Sequence, residues 1–82
     1  MTAKIVRNGN QVELDVREIL EKGDDPFQEI MQAVETLKKE DIFLLHANFR
    51  PDPLLSVMKN KGFKNQVEKK AEKHYQVTFT RE

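Results

Sequence analysis

Apolar positions recur along this chain with two different periods, and the change from one to the other marks out its elements. Val12, Leu14 and Val16 alternate with Glu13 and Asp15, the period of two that predicts a half-buried strand. Upstream, Asn8-Gly9 separates two β-prone runs in "AKIVRNGNQVELDV", and this dipeptide accepts the positive φ values of a tight hairpin turn. Residues 1–11 are therefore expected as an N-terminal arm or an extra hairpin strand. Downstream, "REILEKGD" carries Gly23 and reads as a loop.

The period then lengthens. In "DDPFQEIMQAVETLKKED", Phe27, Ile30, Met31, Val34 and Leu37 fall at i, i+3, i+4, i+7 and i+10, one stripe of an amphipathic helix. Asp25 suits the N-cap, Pro26 the first helical position and Gln28 the capping box, with Lys38 and Lys39 at the negative end. A helix over residues 25–39 follows. "IFLL" within residues 41–47 is a short continuous apolar run, as in an interior strand.

A second helix, residues 52–61, repeats the opening with Asp52 as cap and Pro53 at N1, and turns Leu54, Leu55 and Met58 inward. It stops at Gly62, where a left-handed residue is needed, with Phe63 set to fold back on Met58. A polar strand near residues 64–69 and an alternating one carrying Tyr75, Val77 and Phe79 complete the chain. The order predicts one α+β two-layer sandwich over residues 12–82, βαβαββ, with two helices on one face of a four-stranded mixed sheet. Phe27, Ile30, Val34, Leu44, Leu55, Met58, Val77 and Phe79 are expected to be buried.

Composition narrows the function classes. An 82-residue chain buries only ~60% of its unfolded surface, so a deep closed active site is not expected. Lys+Arg and Asp+Glu are both 14, so no global field favours nucleic acid or an anionic membrane. The signs segregate: residues 1–41 hold 6 basic and 10 acidic side chains, residues 42–82 hold 8 and 4.

There is no cysteine, which removes disulfides, thiolate zinc sites and persulfide chemistry. No run approaches the ~20 apolar residues of a membrane span. A cytoplasmic protein with no membrane role and no cofactor is expected. With only His46 and His74 available, a metal site would need carboxylates from several elements, and none is expected.

Candidate chemistry is concentrated in "HANFRPD". If the first two strands are parallel, both helices begin at one end of the sheet, where α/β layouts keep their ligands. Arg17, Asp25, His46, Asn48, Arg50 and Asp52 would converge there. Each also has an ordinary explanation: His46 as a strand-end histidine bonded to backbone, Arg50 as a partner of Asp52 or Asp25. No serine or threonine nucleophile accompanies His46 in a recognisable pattern.

"LDVRE", the Asp-Pro helix start, "LLHANFRPDPLLSVMKNKGF" and the closing "YQVTF" together resemble small bacterial and archaeal domains of unknown function placed beside the TusA/SirA-like sulfur carriers. The resemblance covers roughly residues 12–80 and implies the same βαβαββ sandwich and a cytoplasmic role. Sulfur carriers place a cysteine before proline at the start of the first helix, where the thiol is acidified. Here the equivalent position is Asp25 before Pro26, and a carboxylate cannot hold sulfane sulfur. The expectation is a binding or accessory module for a protein partner or small polar ligand. The alternative is RNA binding through Lys59, Lys61, Lys64, Lys69, Lys70 and Lys73.

Overall fold

The computed structural model describes residues 5–81. The strands are β1 (Ile5–Asn8), β2 (Gln11–Asp15), β3 (Ile42–Ala47), β4 (Phe63–Ala71) and β5 (His74–Arg81). The helices are α1 (Arg17–Glu21), α2 (Phe27–Glu35) and α3 (Asp52–Asn60). The five strands form one mixed sheet in the order β1-β2-β3-β5-β4. β2 and β3 are parallel and every other pairing is antiparallel.

Alternation decides the two faces. Val12, Leu14, Phe43, Leu45, Ala47, Val77 and Phe79 are buried and form one core with Ile19, Ile30, Ala33, Leu54, Leu55 and Met58 of the helices. The helices therefore cover one face. Residues of opposite parity, among them Glu13, Leu44, His46, Gln76 and Thr78, are only half-buried and form a face that no helix covers.

The α+β architecture agrees with the apolar pattern, and four details differ. A fifth strand is present, because the N-terminal arm turns at Gly9 (φ 63°) and pairs β1 with β2 from Ile5↔Leu14 to Asn8↔Gln11. A third helix stands where a loop was expected. Its five residues are too few to show a period, yet Leu20 N–H donates to Val16 carbonyl (3.0 Å), Ile19 is buried, and Gly23 (φ 79°) closes it.

The other differences concern helix ends and strand phase. α2 begins at Phe27 with Pro26 as its N-cap, so Asp25 lies one residue too early. Its Oδ1 accepts the Phe27 N–H (3.0 Å) without a capping box. Phe27 is consequently 45% exposed, and the buried stripe starts at Ile30. α2 ends at Glu35, where the Thr36 hydroxyl donates to Ala33 carbonyl (2.7 Å). In α3 the cap is Pro51 rather than Asp52. In β3 the apolar run is split by pleating: Phe43 and Leu45 face the core, Leu44 the uncovered face.

Three further hydrogen bonds tie the sheet edge to the helix layer. Asp41, buried, receives the Arg7 guanidinium at 2.9 Å and the Lys38 N–H at 2.8 Å. Arg7 also donates to Thr36 carbonyl (3.1 Å). No helix among the described residues is long and apolar enough to cross a membrane.

Candidate functional site

The parallel β2–β3 pair places Val16, Ala47 and the starts of α2 and α3 around one end of the helix-covered face. A cleft of about 220 Å³ opens there. Val16, Leu45 and Ala47 of the sheet layer, Leu20 of α1, Ile30 of α2, and Leu54 and Val57 of α3 line it. Pro26, Pro51 and Pro53 line it too, because each helix start is built on a proline. Phe27 and Phe49, 45% and 51% exposed, stand on it as well. Among the described residues, Asp25 is the only ionisable one that lines it.

A second, polar group occupies the uncovered face at the same end of β2 and β3. The register sets Asp15 beside His46 and His46 beside Gln76. Glu13 Oε2 lies 2.5 Å from His46 Nε2, and His46 Nδ1 lies 2.9 Å from His74 Nε2. The imidazole planes are tilted by 44° with centroids 5.1 Å apart. His46 is thus held between a carboxylate on β2 and a second imidazole on β5. Its side chain is 13% exposed against 43% for Glu13.

Arg17 closes the group. Its Nε and Nη2 donate to Asp15 Oδ1 and Oδ2 at 3.0 and 2.7 Å, a fork on a carboxylate. This guanidinium draws the Asp15 carboxyl below the usual carboxylate range, and Asp15 in turn raises Arg17. Burial pushes the His74 imidazole down, reinforced by the nearby charges of Arg17 and His46 and opposed by Asp15.

The structure therefore splits the six residues singled out from sequence. Arg17 and His46 share the uncovered face, Asp25 lies in the cleft, and Arg50 pairs with Asp52 at 2.7 Å in an exposed local contact. Asn48 Oδ1 is buried with no hydrogen-bond partner among the described residues. His46 and Arg50 make separate contacts, His46 with Glu13 and His74 and Arg50 with Asp52. Glu13 and His74 were missed because each reads as the polar half of an alternating strand. Only the order β2-β3-β5 places them on either side of His46.

Of the second-half lysines, Lys64, Lys69 and Lys70 lie on the edge strand β4. Lys70 pairs with Glu68 at 3.1 Å, and Lys69 lies 5.9 Å from the Tyr75 ring centre on the opposite side of β4. Among the described residues, no three histidine or carboxylate side chains are grouped to hold a metal ion.

A five-stranded mixed sheet with helices on one face, an apolar cleft at its helix starts and a polar cluster behind it define a small α+β domain. The chain belongs to the DUF2249 family of uncharacterized conserved proteins, whose model matches residues 13–81. The match begins in β2, so the β1 strand precedes it. No curated protein and no solved structure matches the chain.

Proposed function

We propose that this domain is a non-catalytic binding module for a protein segment that presents an apolar side chain next to a basic one. The observation that carries this reading is the cleft: its lining is aliphatic, proline and phenylalanine carbon, and among the described residues its only charge is the Asp25 carboxylate. Asp24, also exposed, adds negative charge beside it. At about 220 Å³ the cleft falls below the ~300–1,000 Å³ of most small-molecule pockets. That size suits one inserted side chain, and its apolar lining disfavours a small polar ligand.

Binding rather than catalysis is supported by the cleft's lining, in which Asp25 has no histidine, serine or threonine beside it among the described residues. From β2 onward the strands follow the βαβαββ order apart from the added α1, which supports kinship with TusA-like domains. On that kinship Asp25 takes the position of the carriers' thiol, and the helix start would serve docking instead of sulfur transfer.

Display of random peptides against the whole chain tests the proposal. Selected peptides should share an aliphatic or aromatic residue flanked by lysine or arginine. Phe49→Ala should weaken them, and Asp25→Lys should abolish the basic preference while circular dichroism stays unchanged. Selection of acidic peptides, or binding indifferent to both substitutions, overturns it.

A further inference from the structure

The Glu13–His46–His74 chain lies on the face opposite the cleft and takes no part in the binding just described. We propose that His46 Nδ1 and His74 Nε2 chelate a divalent copper or nickel ion, with Glu13 as the carboxylate that orients the first ligand.

The argument begins with tautomers. A carboxylate only accepts hydrogen bonds, so the proton between Glu13 and His46 sits on Nε2. That leaves a lone pair on His46 Nδ1, directed towards His74. A carboxylate fixing one imidazole nitrogen so that the other presents its lone pair is the usual outer shell of a metal-bound histidine. In the metal-free chain His74 Nε2–H donates to that lone pair. Turning the second imidazole to its other tautomer makes Nε2 a donor to metal as well.

Ligand type then selects the ion. The 2.9 Å between the two nitrogens is the length of the hydrogen bond in the metal-free chain, and the rings swing off that line to take up an ion at ~2.0–2.1 Å. Imidazole donors suit copper and nickel, and copper(II) binds most tightly in the divalent series. Hard ions such as magnesium and calcium prefer oxygen and are disfavoured.

Both oxygens of Asp15, the nearest remaining carboxylate in register, are held by the Arg17 fork, which opposes its turning towards the ion. The site therefore keeps its other coordination positions for water or an external ligand.

The test is titration of the full chain with Cu²⁺ and Ni²⁺, followed by pulsed electron paramagnetic resonance of the copper form. One equivalent should bind with two equatorial imidazoles. His74→Gln and His46→Gln should each reduce this to one imidazole or none. Glu13→Gln should weaken binding by ~10–100-fold, as loss of an orienting outer partner does. Circular dichroism checks that each variant is folded, and His74→Gln preserves a hydrogen-bonding side chain should larger changes unfold the sheet. Copper spectra identical in wild type and His74→Gln, or an affinity unmoved by Glu13→Gln, identify an adventitious ion and overturn the proposal. Peptide binding at the cleft is read separately, so failure of either idea leaves the other standing.

Discussion

Asp41 is the residue on which charge and packing meet most directly. Its carboxylate is buried at the layer boundary and neutralised by Arg7 from the edge strand. The Arg7 hydrogen bond, then the Lys38 N–H, hold its pKa below the usual value. A carboxyl whose folded pKa is depressed binds fewer protons folded than unfolded, so its contribution is present above the unfolded value of ~3.9 and is lost as pH falls towards the folded one. Asp41→Asn should therefore lower the melting temperature at pH 7 and flatten its decline below pH 4, as measured by calorimetry across that range. An unchanged acid limb would show that another carboxylate governs it.

At the scale of elements, burial separates residues that look alike in sequence. Ile30 and Leu55 are buried and Phe27 is not, although all three sit on apolar helix stripes. Ile30→Ala and Leu55→Ala should each cost ~2–5 kcal/mol in denaturant unfolding, whereas Phe27→Ala should stay within ~0.5 kcal/mol. Gly23 closes α1 at φ 79°, and Gly23→Ala should cost about 1 kcal/mol through strain although its Cβ meets no neighbour. The long helices and the alternating strands were legible because each repeats its period several times. α1 was not, since one buried isoleucine in five residues sets no period. The helix starts slipped by one because proline and aspartate both favour first-turn positions, so the pattern does not say which of them caps. The cleft was legible only as a location, its apolar lining being assembled from residues of separate elements. The histidine pair was invisible for a different reason: residues 46 and 74 become neighbours through strand order, which local pattern does not encode.

For the whole molecule, β1 has every residue exposed and yet covers the edge of β2 and supplies Arg7 to Asp41. Removing residues 1–9 should leave a folded domain with a lower melting temperature and, because an unpaired edge strand recruits another chain, a greater tendency to associate. Scanning calorimetry and size-exclusion chromatography read the two effects. The opposite edge is protected differently, by Lys64, Lys69 and Lys70 and by an irregular register between Lys69 and Ala71. The same strand order sets a timetable for folding. β1–β2 and β4–β5 are hairpins closed by short turns at the two ends of the sheet, while β3 pairs with β2 and β5, both distant in sequence. Local hairpins form in ~1–10 μs, whereas joining them waits for β3 to enter between two halves that cannot meet without it. The rate-limiting barrier then belongs to the central strand, and Leu45→Ala should slow refolding where substitutions in β1 mainly hasten unfolding.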